Sequence, residues 1–264
     1  ATTEIYTLSL HDALPIYIYR TVTIGGMEFT VVSRHVLSEL MAAVLLAPLA
    51  CRAARYEGLV PRGLANFVEG ICQYLREQVA RPSLGGHTDR FVPYLWTTFF
   101  FILFCNLWGM LPNPLDWPFI GAATANIWTT GALAFCTLLM IVINGFRING
   151  VAYLKHFAPG PLALAPLMVL IELVGLIAKV FALAIRLFAN MLAGHILLAV
   201  LLALIFMAGQ GLGAGHPGSY AIGLAVVIGS VAINMLELFV AFLQAFIFTF
   251  LTAVFIGQAV ESEH

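Results

Sequence analysis

The sequence predicts an all-α integral membrane protein, with about five membrane-embedded helices and one in-plane amphipathic helix, the last two spans being long and steeply tilted as an antiparallel pair. Three observations carry this prediction. Hydrophobic residues make up 61% and charged residues 9% of the 264 positions, a balance that fits a polytopic membrane chain and excludes a soluble globular core. Several apolar runs reach the ~20 residues needed to cross the ~30 Å hydrocarbon layer of a bilayer. Two runs near the C-terminus are about twice that long and contain no helix breaker.

Charge and cysteine usage exclude other classes. Lys and Arg number 12 against 13 Asp and Glu, so there is no basic field for nucleic acid. Cys51, Cys72, Cys105 and Cys136 have no short metal-ligand spacing. Most sit in or beside apolar stretches, where cysteine is a small packing residue. No metal and no cofactor is expected.

Residues 1–16, ATTEIYTLSLHDALPI, resemble one reading frame of a common short-read sequencing adapter. They are set aside from fold reasoning as a non-native segment. Residues 17–264 are expected to form a single membrane domain.

The first span is expected at about 31–54, where Val31 to Cys51 grows increasingly apolar although Arg34, His35 and Glu39 interrupt it. An in-plane helix is expected at about 62–80. Leu64, Phe67, Val68, Ile71, Leu75 and Val79 recur there at helical spacing, while Arg62, Asn66, Glu69, Gln73, Arg76 and Glu77 take the other face, the pattern of a helix lying in a membrane surface.

Phe91 to Leu111 carries no charge and is rich in aromatics, which predicts a span at about 91–111. The proline-rich turn Leu111 to Pro118 ends it. A return span is expected at about 124–146, closed by Arg147. Tyr94 and Trp96 at one end, with Trp108, Trp117 and Trp128 at the other, read as two aromatic belts.

After Pro161, no proline and no cluster of turn residues appears between Leu167 and Gly209. A continuous helix of that length would be roughly 60 Å long, so it must tilt to stay in the bilayer. The long helices are expected at about 161–208 and 220–260, joined by the glycine-rich stretch Gly209 to Ser219. Basic residues orient the whole. Two connections hold eight of them (Arg52, Arg55, Arg62, Arg76, Arg81, Arg90, Arg147, Lys155) and the intervening two hold none, which puts the basic side inside.

The polar groups of the long helices form a pattern. Arg186 lies in an apolar segment and keeps its proton at any working pH, so it must face protein, water or a partner's carboxylate rather than lipid. Snorkelling to the interface, or a structural ion pair, is the alternative use of such a residue. Glu172, Lys179 and Arg186 are seven apart and share a face, which Asn190 also joins. His195 points away from it. Antiparallel packing can set Glu237 beside His195 and Gln244 near Arg186. On the residues alone, the His–Glu pair serves equally as a proton relay or a buried ion pair. Lys179 reads as a residue that snorkels to the inner surface. A central cation opposes a continuous proton wire, so the two polar regions read as half-channels that need a carrier.

These residues carry a resemblance. IRLFANMLAGHI from Ile185 and ELFVAFLQAFIFTFLTAVFI from Glu237 resemble subunit a of the F-type rotary ATP synthase. The similarity extends upstream through RFVPYLWTTFFFILFCNLWGMLPNP and TANIWTTGALAF, and it covers most of the chain after Phe91. The resemblance implies a proton-translocating stator subunit with two aqueous half-channels. A ring of c subunits is the carrier, with subunit b of the peripheral stalk, the rest of the complex and the lipid bilayer as further partners. It implies that Arg186 is the stator arginine that prevents a short circuit, with Asn190 and Gln244 as its polar neighbours. Glu172 matches the inner half-channel acid. His195 and Glu237 match the outer pair, in the order seen in mitochondria and some bacteria rather than the reverse order of many bacterial members. Family members often have Lys-Pro where this chain has Lys179-Val180, so a proline kink is not expected here.

Other classes fare worse. A secondary transporter with an intramembrane Arg/Glu/His relay is the alternative, but it predicts internal repeats and broken helices that this chain lacks. A membrane enzyme predicts a nucleophile with its base, or clustered ligands, whereas His87, His156 and His216 are scattered in connections. The alanine and glycine content and the loop style favour a bacterial inner membrane over a mitochondrial one.

Overall fold

In the computed structural model, residues 21–24, 27–30, 34–54, 63–111, 121–150, 165–212 and 217–260 are described. The adapter-like segment 1–16, the proline-rich turn at 112–118 and the connection at 151–164 lie outside them, as do the first residues expected for the spans beginning at 31 and 161.

Helix dominates. α1 spans Arg34–Ala54 and α2 Leu64–Tyr74. A π-helical segment Leu75–Ala80 and the short α3, Arg81–Leu84, continue α2 without a gap. A 3-10 turn at Gly85–His87 leads into α4, Thr88–Gly109. α5 is Ile127–Asn149, α6 is Ala165–Leu212 and α7 is Pro217–Val260. Among the described residues, four stretches are long and apolar enough to cross a membrane (Ala65–Gly109, Ile127–Asn149, Leu167–Gly211 and Pro217–Val260), and Val36–Pro48 is a shorter apolar helix. This is the all-α membrane architecture that composition predicts.

One element was not expected. Strands β1, Thr21–Ile24, and β2, Met27–Thr30, pair antiparallel with Thr21 opposite Thr30 and Ile24 opposite Met27. Val22, Thr23 and Thr30 are β-branched, which suits a strand, but four residues a side give too short an alternation to read.

The α6 helix is 48 residues long and α7 is 44, about 72 and 66 Å at 1.5 Å per residue. Their continuity follows from composition, since no interior position holds proline. Val180, where a proline would have freed a carbonyl and bent the axis, is buried in the body of the protein.

The core gathers around the second half of α7. Phe248, Ala253 and Ile256 of α7 pack with Phe91, Leu95, Phe99 and Ile102 of α4, Ile141 of α5, and Leu183 and Leu187 of α6. Lipid tails are as apolar as these side chains, so close packing and interhelical hydrogen bonds must hold the helices together. Both are present. A Cβ on Gly257 would overlap the Ser83 carbonyl oxygen, and one on Gly109 would lie 2.7 Å from Ala122 Cα, so glycine is what lets these backbones touch. Asn149 Nδ2 donates to the Ala259 carbonyl at 2.9 Å and so caps one of the last carbonyls of α7.

The amphipathic segment packs back against the start of α4. Trp96 Nε1 donates to the Cys72 carbonyl at 3.0 Å, and Arg76 pairs with Asp89 at 2.5 Å across the turn at Gly85, whose φ is +50°. Leu75 and Val79 are buried as their spacing predicts, but Phe67 is 65% exposed. The reason is local: Phe67 stands at the rim of an aromatic groove with Tyr74, Phe99, Phe242 and Phe246.

Candidate functional site

The site is built on the α6–α7 pair, and three cross-contacts set its register. Lys179 Nζ donates to Gln258 Oε1 at 3.4 Å. Gly194 faces Glu237. Near the connecting turn, Ser219 Oγ donates to the Ala208 carbonyl at 3.4 Å. Arg186 lies midway between Lys179 and Gly194, so it sits abreast of Ile247 and Phe248, with Gln244 about one helical turn nearer the α6–α7 turn and level with Asn190.

The buried stripe of α6 is Val180, Leu183, Ala184, Leu187 and Met191. At about 100° per residue, Glu172, Lys179, Arg186 and Asn190 all fall along one edge of that stripe and His195 falls along the other. Glu172, Lys179 and Asn190 are half-buried, and Arg186 is exposed. Among the described residues the Arg186 guanidinium has no hydrogen-bond or ion-pair partner. A permanent cation on an apolar membrane helix cannot be left to hydrocarbon, so this edge must meet something polar.

Lys179 meets the C-terminal end of α7. Its ammonium is held within the pair, bonded to Gln258 and lying 5.5 Å from the Phe255 ring centroid. The bond is exposed, so the cation keeps access to water while an amide and an aromatic face hold it.

His195 and Glu237 are brought together. The Glu237 carboxyl lies against Gly194, where an added Cβ would stand 2.7 Å from its Cδ and would overlap Oε1. His195 is the next residue along α6 after Gly194. His195 Nε2 and Glu237 Oε2 are both buried and have no hydrogen-bond partner. Buried polar atoms without partners are costly. Two such atoms close together favour a water or a proton between them, and an imidazole and a carboxyl side by side can pass one between them. Glu172 stands apart, about 21 Å from Arg186 along the axis of α6.

Gln244 is 6% exposed, on the buried face of α7. Reading the sequence for charges missed a second polar contact beside it. Asn106 Nδ2 donates to the Ala241 carbonyl at 3.3 Å, and Thr124 Oγ1 donates to Asn106 Oδ1 at 2.8 Å, both in the buried interior. An amide inside the uncharged run Phe91 to Leu111 was the available signal. Among the described residues no group of three or more His, Cys, Asp or Glu is arranged to hold a metal ion.

The chain matches the family model for the ATP synthase A chain over residues 36–257. It is 44% identical over 239 residues to an ATP synthase subunit a of Anaeromyxobacter dehalogenans (strain 2CP-C), covering 88% of this chain and 58% of that protein. Over 245 residues it is 41% identical to ATP synthase subunit a of Myxococcus xanthus, covering 91% and 76%. A subunit a of Chloroherpeton thalassium is 38% identical over 248 residues, covering 92% and 70%. The chain thus spans little more than half the length of the Anaeromyxobacter relatives it matches.

Proposed function

The chain belongs to the ATP synthase A chain family, and on that premise we propose that it is the stationary, proton-translocating subunit of a rotary F-type ATP synthase. It performs no bond chemistry of its own. A ring of c subunits, each with a membrane carboxylate, turns against α6 and α7 while subunit b of the peripheral stalk holds this chain still. The bacterial relatives support a bacterial inner membrane over a mitochondrial one.

The mechanism follows from the charges. A proton entering from the outer side reaches the crevice of Glu237 and His195 and passes to a ring carboxylate. Once neutral, that carboxyl can leave for lipid, since burying the neutral form costs far less than burying the ion. After nearly a full turn it meets the inner half-channel, where Glu172 accepts its proton and hands it to water. The ring carboxylate, charged again, is attracted to Arg186. Because a guanidinium is a permanent cation, a free proton moving directly between the half-channels meets like charge in low dielectric. Asn190 and Gln244, level with each other one turn away, are hydrogen-bonding groups that steady the guanidinium or the arriving carboxyl.

One observation carries this reading: an exposed Arg186, unpaired among the described residues, on one edge of α6, with the half-buried His195 and Glu237 about 13 Å further along the same helix pair. The test is ATP-driven acidification of inverted vesicles carrying the assembled complex, intact or with Arg186→Ala. Loss of pumping in a complex that still hydrolyses ATP supports the reading. Unchanged pumping makes Arg186 structural and removes the half-channel mechanism.

A further inference from the structure

Between Val226 and Gln244, α7 carries four hydrogen-bonding side chains, Ser230, Asn234, Glu237 and Gln244, among residues that are otherwise apolar. Their spacings of four, three and seven put them on one helical stripe, reaching about 21 Å along the axis. Gln244 and Glu237 belong to the function proposed above. Ser230 and Asn234 do not, and they lie on the other side of Glu237, toward the α6–α7 turn. Polar groups on an apolar membrane helix persist where protein or water meets them.

The geometry at Asn234 is specific. Its Nδ2 donates to the Ser230 carbonyl at 3.0 Å, and the residue is exposed, with Ser230 half-buried. That bond turns the amide back along α7, over the turn between Asn234 and Ser230, and leaves Oδ1 able to accept from another donor. One turn away, Glu237 Oε2 and His195 Nε2 are buried with no protein partner. Opposite the Ser230–Asn234 turn, α6 offers only the apolar run Ile196 to Leu202. So α7 alone supplies polar groups on that side of the pair. Waters held between helices need several polar partners each, and the Ser230 hydroxyl, the Asn234 amide oxygen and the Glu237 carboxyl at successive turns provide them.

We propose that Asn234, with Ser230, lines the outer approach to Glu237 and positions the waters that deliver protons to the Glu237–His195 pair. Asn234 is a positioning residue, since it does not titrate and the proton reaches Glu237 through water. The assignment rests on the half-channel reading and extends it to residues beyond the charged set.

The experiment uses the assembled complex in inverted and right-side-out vesicles. Asn234→Cys is treated with a membrane-impermeant, water-soluble thiosulfonate from each side, with the unsubstituted protein as background for its own cysteines. A thiol in water ionises and reacts, whereas one in hydrocarbon stays protonated and inert. In parallel, ATP-driven pumping is measured for Asn234→Leu and Asn234→Ser, with Arg186→Ala as the control on the half-channel reading. The expected result is labelling from the outer side only, a severalfold slower pumping rate in Asn234→Leu, and recovery in Asn234→Ser. Absence of outer labelling, or unchanged pumping in Asn234→Leu, overturns the role of Asn234 while Arg186→Ala still fails to pump. If Arg186→Ala also pumps normally, the half-channel reading falls with it.

Discussion

The carboxyl of Glu237 fills the space that a side chain at residue 194 would need, so the absence of a Cβ at Gly194 is what brings the acid of one long helix beside the imidazole of the other. Gly194→Ala must push Glu237 out of the notch or spread the helices. The expected outcome is roughly a tenfold fall in ATP-driven pumping, equivalent to ~1.4 kcal/mol in the barrier, with the subunit still assembled. Acidification of inverted vesicles, normalised to the amount of subunit in the complex, checks this. Unchanged pumping would mean that Glu237 need not occupy the notch.

The proposed relay between His195 and Glu237 depends on having one imidazole and one carboxyl, not on which helix carries which. Glu237→His alone puts two imidazoles in the crevice, and His195→Glu alone puts two like charges there, which raises the cost of ionising either. Each single variant is expected to lose most proton flux. The double exchange, His195→Glu with Glu237→His, is expected to recover at least severalfold over either single. A double exchange no better than the singles would argue that the two groups act separately.

Lys179 has an amide and a ring for partners rather than an acid. Its contacts with Gln258 and Phe255 are of the kind that contribute ~0.5–1 kcal/mol each where partly exposed. Lys179→Met is therefore expected to lower the thermal midpoint of the detergent-solubilised complex slightly and to leave pumping within about twofold. Complete loss of pumping in Lys179→Met would instead give the ammonium a part in proton transfer.

Asn106 ties α4 to α7 through the Ala241 carbonyl and also accepts the Thr124 hydroxyl. Asn106→Leu strands both groups in a buried place. Interhelical hydrogen bonds in membrane proteins average ~0.6 and reach ~1.7 kcal/mol, and losing two of them should sit toward the upper end. A thermal melt of the complex, compared with Asn144→Leu, measures it. Among the described residues Asn144 bonds only within its own helix, to Met140, so its loss should cost less.

The long helices and their charged residues were legible because the relevant information is local. Forty apolar residues without proline leave little besides a continuous helix, and the seven-residue intervals of Glu172, Lys179 and Arg186 put them on one edge wherever the helix goes. The antiparallel short turn then restricts which part of α7 can lie beside which part of α6. What stayed hidden depends on a neighbour. A glycine in an apolar helix reads as tolerated, and only the position of Glu237 explains Gly194. Lys179 reads as a residue that reaches for the membrane surface, and nothing in the sequence adds its exposed bond to Gln258, 79 residues later. Phe67 has the right period for the buried face, but the groove lined by Tyr74 and Phe246 leaves it at the rim. Asn106 was passed over among aromatics because it carries no charge, although an amide in a membrane helix also requires a partner.

In the proposed mechanism Arg186 separates two half-channels that would otherwise exchange protons directly. The most direct measurement is proton flux through the membrane sector of the Arg186→Ala complex, made both with ATP driving rotation and passively, under an imposed proton gradient, after the water-soluble part has been removed. The account predicts that ATP-driven pumping disappears while passive flux persists or increases, because removal of the cation uncouples ion movement from the ring. ATP-driven pumping at the level of the unsubstituted protein would contradict it.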